Sequence, residues 1–177
     1  KGSLKVSTKF PNYSNKLSYL RKNNSSLITY SELKKSLTQS LKRLNLDSIE
    51  TFFIHWPARV TNNFGRSYYQ ANGNIEEIYN QLHLTYENLS KLAKEGLCKS
   101  IGISNESALG IHCLKNTAKK IDLYIQNSYN LLNPTFDINL TEFCLATNIK
   151  IQAHSPLAFG TLTGKYRSEN LPKNSRR

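Results

Sequence analysis

The sequence contains no methionine at all, and it opens on Lys1. A translation product begins with methionine unless it is processed, so the chain is expected to be an internal part of a longer polypeptide. Cysteine is scarce: Cys98, Cys113 and Cys144 are the only three. An odd number at irregular spacing, with no Cys-x-x-Cys pair, is neither a disulfide framework nor a zinc motif. It fits a reducing, cytoplasmic setting. No apolar run approaches the ~20 residues needed to cross a bilayer. No basic stretch followed by an apolar core marks a signal peptide at the start. Acidic residues are few, 12 against 24 basic, which gives a net charge of +12 and a pI of about 9.7. Such a balance can be an electrostatic footprint for nucleic acid or acidic lipid. Here the lysines are scattered, as at Lys34, Lys35, Lys91, Lys94, Lys119 and Lys120, with no arginine-rich run and no interleaved aromatic motif. Lys, Asn, Ser and Ile are abundant together, a compositional bias that accounts for the charge without a binding surface. The Asn-x-Ser/Thr triplets at Asn12, Asn88 and Asn139 are expected by chance in such a chain.

What is present is globular. The 177 residues are 38% hydrophobic and 20% charged, enough for one ordinary domain over 1–177. "LKVST" (Leu4 to Thr8) reads as a first strand, and Asn12 to Ser26 as a polar loop. Leu33, Leu37, Leu41 and Leu44 recur at helical spacing, with Ser31 as a candidate N-cap and Glu32 in the positive first turn. "IETFFIHW" reads as a strand covered on both faces. After a polar loop from Asn62 to Gly73, a helix is predicted from Ile75 to Glu95, with Ile75, Ile78, Leu82, Leu89 and Leu92 on one face and Gly96 as its stop. "KSIGIS" gives a third strand. A helix opening at Asn105 or Ser107 follows, carrying Ala108, Ile111 and Leu114. "IDLYIQN" is a fourth strand, a helix spans Asn139 to Thr147, and "IKIQAHS" is a fifth strand, closed by Pro156.

Strand and helix alternate throughout, which means a parallel α/β sheet, doubly wound or closed as a barrel. In both, ligands meet the carboxyl ends of the strands. The five strands end at Lys9, at His55, at Ser104 and Asn105, at Gln126 and Asn127, and at His154 and Ser155. A histidine closing a strand, as in "TFFIHWP", is most often a satisfied structural residue. Five consecutive strands that each deliver a polar group to one end shift His55 toward a functional reading.

In family order, "VSTKF", "SLKRLNLDSIETFFIHWPARVTNNFG", "EGLCKSIGISNE", "IQNSYNLLNP" and "SPLAFGTLTGKY" resemble the aldo-keto reductases, NADPH-dependent (β/α)8 barrels, and most of all their Tas-type branch, with the potassium-channel beta subunits as relatives. The resemblance implies a segment of a TIM barrel, about five parallel strands at positions three to seven, with outer helices. It implies an oxidoreductase that reduces a small-molecule aldehyde or ketone with NADPH, without nucleic acid or membrane as partner; oligomeric state is left open. Lys9 matches the lysine that lowers the pKa of the family's catalytic tyrosine. His55 matches the histidine that orients the substrate carbonyl, and Trp56 would line the substrate mouth. Ser104, Asn105 and Gln126 match the residues that hold the nicotinamide carboxamide. Ser155, Leu157, Gly160 and Lys165 match the loop that closes on the pyrophosphate. Gly160 equally suits a plain turn, and Lys165 a solvated charge.

The chain departs from the family pattern in three ways. The aspartate and tyrosine of the family's Asp-Tyr-Lys-His tetrad lie upstream of the strand that opens this chain. Tyr13 does not replace the tyrosine, because it belongs to the loop after Lys9. The last strand and the loop for the adenosine 2′-phosphate are not matched either. His154 stands where Tyr or Trp commonly stacks on the nicotinamide, and offers less area. The segment by itself is therefore expected to be inactive, with an apolar barrel interior open to water. A cofactor-sensing or partner-binding relative, without catalysis, is the alternative. A basic nucleic-acid-binding module is a second alternative and needs a contiguous basic surface.

Overall fold

The computed structural model describes residues 4–13, 19–21, 27–62, 68–69 and 73–167. Most of both polar loops read from the sequence lies outside these residues. Five strands form one sheet in the order β1 (Ser7–Phe10), β2 (Ile49–Ile54), β3 (Cys98–Ser104), β4 (Asp122–Ser128) and β5 (Lys150–His154). Every neighbouring pair is parallel. The helices between them are α1 (Tyr30–Leu44), α2 (Ile75–Lys94), α3 (Ala108–Thr117), α4 (Thr135–Asn139) and α5 (Thr141–Ala146). Each strand lies beside its predecessor, the arrangement of consecutive βα units around a barrel and not of a doubly wound sheet.

Register assigns the two faces of the sheet. Phe10, Phe52, Ile54, Ile101, Ile103, Leu123 and Ile125 are buried in one cluster with Leu33, Leu37, Leu41 of α1, Leu82, Tyr86, Leu89, Leu92 of α2 and Ile111, Leu114 of α3. That is the helix-covered side, and burial of each such side chain contributes about 1.5–3 kcal/mol. The opposite face carries the alternate residues. Lys9, Phe53, Gly102, Tyr124 and Lys150 lie across one row, and Ser7, Thr51, Ser100 and Asp122 across the row below it. The expectation of an apolar interior open to water is thus corrected. From Thr51 onward this face carries Phe53, Gly102 and Tyr124 among polar and charged groups, and Thr51 and Ser100 hydrogen-bond to each other there at 2.8 Å.

Local signals explain several shifted boundaries. β1 begins at Ser7, not Leu4, because its pairing with β2 starts at Ser7 and Thr51. The N-cap of α1 is Thr29, not Ser31. Thr29 accepts from the Glu32 backbone N–H, and the Glu32 carboxylate accepts from the Thr29 N–H, a reciprocal capping box. Leu44 is exposed, since Asn45 turns left-handed and ends the helix there. Ile75, read as part of the buried face of α2, is also exposed, one turn before the face meets the sheet. Gly96 sits at φ +79° after α2, the left-handed stop expected of it. The helix predicted over 139–147 is present as α5, Thr141–Ala146; the short α4 before it was not predicted, and the two are separated at Leu140, whose φ of −129° is not helical. The loop after β5 is a 3₁₀ turn over Ala158–Thr163, interrupted by left-handed Phe159 and Gly160.

Candidate active site

β1 and β2 bring Lys9 and His55 to the same end of the sheet, because Phe10 pairs with Ile54 and the His55 N–H donates to the Phe10 carbonyl at 2.9 Å. Between them lies Phe53. Its ring is fully buried and extends over β3, where Gly102 has no Cβ; a Cβ built there would stand 2.3 Å from the ring. The Lys9 Nζ rests over the Phe53 ring, 4.9 Å from its centroid. A half-buried ammonium on an aromatic floor is poorly hydrated, and burial lowers the Lys9 pKa.

His55 is lowered as well. Burial is the main cause, followed by the nearby charges of Lys9 and His154. Three basic groups, from β1, β2 and β5, therefore face one rim. The neutral imidazole that results is able to donate a hydrogen bond to a carbonyl oxygen at neutral pH. The His55 ring also packs against Trp56, with centroids 4.5 Å apart. Trp56 is half-buried, and its carbonyl accepts from the buried Asn12 side chain at 2.6 Å.

These shifts carry a pH prediction. A folded-state His55 pKa below its ordinary 6.5 means that the unfolded chain binds more protons below that value. The titration of His55 therefore costs the fold nothing above pH 6.5 and destabilises it increasingly as pH drops from there to the folded pKa. In a Lys9→Met variant one of the two repulsive charges is gone, and the His55 titration, followed by NMR of the ring protons, should move upward. A downward shift or none would show that Lys9 does not face His55.

β3 and β4 supply the amides. Ser104 ends β3, and its hydroxyl donates to the Gln126 carbonyl at 2.7 Å. Asn105 follows with φ +56°, a left-handed conformation that asparagine tolerates better than most residues. Its N–H donates to the Gln126 carbonyl at 3.1 Å, and its side-chain Nδ2 donates to the His55 carbonyl at 2.9 Å. The Gln126 Nε2 donates to Gln152 Oε1 at 2.9 Å. Lys9, His55, Ser104, Asn105, Gln126 and His154 thus share the carboxyl-end rim.

The loop after β5 is built differently. Ser155, Ala158, Phe159 and Gly160 all have positive φ, a tight left-handed coil. The Asn130 side chain pins it by donating to the Ser155 carbonyl at 3.1 Å. Lys165 folds back over Gly160, its Nζ 2.7 Å from where a Cβ would stand, and the φ of +98° at Gly160 is one that glycine adopts without strain. The Ala158 and Gly160 N–H groups donate within the loop, to the Ser155 and Leu157 carbonyls, both at 2.9 Å. His154 touches Phe159 edge-on at 6.3 Å. The Leu157 side chain is exposed, and its carbonyl accepts from the Gly160 and Leu162 N–H groups. Among the described residues no three His, Cys, Asp or Glu side chains meet in a way that could hold a metal.

Reading the sequence alone passed over Gln152, Asn130, Asn12, Arg59 and Glu106. Gln152 was findable, since it lies two residues before His154 and a strand alternates its faces. Arg59 and Glu106 carry no local signal, because charged loop residues are usually solvated.

The sequence profile described as Aldo/keto reductase family matches residues 1–177. The chain is 36% identical over 148 residues to Protein tas of Escherichia coli, covering 81% of this chain and 42% of that protein. It is 31% identical over 184 residues to an aldo-keto reductase of Babesia bovis, covering 97% of this chain and 64% of that one. The chain thus spans less than two thirds of the length of either relative. Among solved structures, a glycerol dehydrogenase from Gluconobacter oxydans superposes with a TM-score of 0.63 at 25% identity, over 84% of this chain and 39% of its own. With a profile match across its whole length, the chain belongs to the aldo/keto reductase family.

Proposed function

We propose that the rim binds the nicotinamide end of NADPH and presents a small aldehyde or ketone to it. The observation that carries this reading is that one neutral-leaning imidazole, His55, and the side-chain amides of Asn105, bonded to the His55 carbonyl, and of Gln126, bonded to Gln152, stand at the same strand ends. The residues fit the cofactor's chemistry. A carboxamide both donates and accepts, and so do Asn105 and Gln126. The coil from Ser155 to Lys165 carries the Lys165 ammonium, a charge suited to a diphosphate. Bound there, the cofactor would supply the hydride.

The chain's own groups have separate roles in this reading. His55 donates to the carbonyl oxygen and holds it in place. Lys9, kept electropositive on the Phe53 floor, stabilises the negative charge that grows on that oxygen. Trp56 lines the substrate side and His154 backs the cofactor side. The family's proton donor corresponds to no position in this chain, so residues 1–177 alone should show no carbonyl reduction; the absent general-acid contribution is typically ~10²–10⁴-fold. A cytoplasmic protein of this kind, reducing carbonyl compounds, is the reading as a whole.

Replacing Asn105 and Gln126 together by Ala tests it. Each lost contact is worth about 1 kcal/mol, so NADPH affinity should fall roughly tenfold or more. Trp56, the one tryptophan among residues 1–177, stands beside His55 and is placed to report binding by fluorescence. The titration belongs on the protein expressed from its natural reading frame, with NADH run in parallel. Equal affinities in wild type and variant would sink the carboxamide assignment.

A further inference from the structure

Beneath the rim lies an ion pair that the proposed chemistry does not use. Glu106 follows Asn105 directly and is 3% exposed. Its carboxylate accepts from both terminal nitrogens of Arg59, at 3.1 and 2.5 Å, from the Ser107 N–H at 2.9 Å and from the buried Tyr86 hydroxyl at 3.4 Å. Gly110 of α3 leaves the space it occupies, since a Cβ there would stand 2.2 Å from the Glu106 carboxyl carbon. The buried side chain of Asn127 grips the same residue by its backbone. Asn127 Oδ1 accepts from the Glu106 N–H at 3.0 Å, and Asn127 Nδ2 donates to the Glu106 carbonyl at 2.8 Å.

The arrangement joins three chain segments. Arg59 is four residues beyond His55, on the loop that carries Trp56; Glu106 is one residue beyond Asn105; Asn127 is one beyond Gln126. A buried charge network is an unreliable source of stability, because desolvation offsets most of its Coulombic gain. It does fix geometry, since a bidentate guanidinium–carboxylate pair has one preferred orientation. The residue it fixes is next to one that gains from fixing: Asn105 is held in a left-handed conformation, sparsely populated even for asparagine, that its neighbours must impose.

We propose that Arg59, Glu106 and Asn127 are positioning residues: they hold the Ser104–Asn105 turn in register with the His55 loop, so that the Asn105 amide meets a nicotinamide carboxamide. The ligand half of this proposal rests on the cofactor reading above.

Two measurements test the proposal on the protein expressed from its natural reading frame. The first needs no cofactor. In Glu106→Gln, which keeps shape and loses charge, the backbone amides of Asn105 and Ser107 should exchange with deuterium at least tenfold faster, while those of Ile101 and Ile103 in β3 stay within twofold. Should Glu106→Gln fail to fold by circular dichroism, Arg59→Lys replaces it, with the charge kept and the bidentate geometry lost. Unchanged exchange at Asn105 and Ser107 overturns the positioning role. The second measurement compares NADPH with 2′-phospho-ADP-ribose, which lacks the nicotinamide. Arg59→Met should weaken NADPH about tenfold and the truncated nucleotide less than twofold, with Arg59→Lys recovering part of the loss. Equal weakening of both nucleotides would mean a merely structural pair and would overturn the proposal. A wild type that binds the truncated nucleotide and not NADPH, or binds neither, defeats the cofactor reading and the ligand half with it; the exchange result still decides the positioning half.

Discussion

Replacing His55 by Ala should lower kcat/KM for carbonyl reduction by about 10²–10³, the usual cost of deleting one donor aimed at a developing oxyanion. The protein for this assay is again the product of the natural reading frame. The side chain is half-buried at the end of β2, backed by Trp56 and flanked by Lys9 and His154, so its loss leaves two basic groups facing a rim with no neutral donor between them. NADPH affinity should change little, because the amides of Asn105 and Gln126 stand on other strands. Stability above pH 6.5 should change little as well. Measured together, steady-state rates with an aromatic aldehyde and a fluorescence titration separate the roles. A large loss of cofactor affinity with an intact rate at saturation would assign His55 to the cofactor instead.

Gly102→Val should be the most damaging single change in the sheet. An ideal Cβ at this position stands 2.3 and 2.4 Å from two carbons of the Phe53 ring and 3.0 Å from the Tyr124 carbonyl oxygen. The ring is buried and the carbonyl belongs to a paired strand, so neither yields easily. Overpacking of this kind costs about 1–3 kcal/mol and occasionally more; with backbone on one side, the upper end is expected. The fault also spreads to the site. Phe53 is the floor under the Lys9 ammonium, and a displaced ring moves Lys9 away from His55. Chemical denaturation should show the loss of stability, and the NMR titration of His55 should move upward in any folded fraction. A variant as stable as wild type would mean that Phe53 does not lie across Gly102.

The succession of strands and helices was legible because each strand is short, apolar and followed by a polar residue, and because amphipathic helices separate them. That each strand lies beside its predecessor followed only from the family resemblance. Which face each residue takes was not legible. "TFFIHW" is apolar on both sides, so the burial of Phe52 and Ile54 under helices and of Phe53 on the concave face is decided only by pairing with β1 and β3. The same gap produced the wrong expectation of an apolar interior. Thr29 and Ser31 are both good caps, and the three-residue step from Thr29 to Glu32 settles the choice. The carboxyl-end residues were readable as a set, since the strand ends alone place them at one rim. Arg59 and Glu106 were not, because their burial depends on Gly110, Tyr86 and Asn127 meeting from three other elements.

The measurement closest to the central claim is a crystal structure of the protein from its natural reading frame, grown with NADPH. The account expects the nicotinamide carboxamide within hydrogen-bond distance of Asn105 and Gln126, with His55 and Lys9 on the open side of the ring and the diphosphate along the coil that holds Gly160 and Lys165. A cofactor seated anywhere else, or a rim left empty at saturating NADPH, would contradict it.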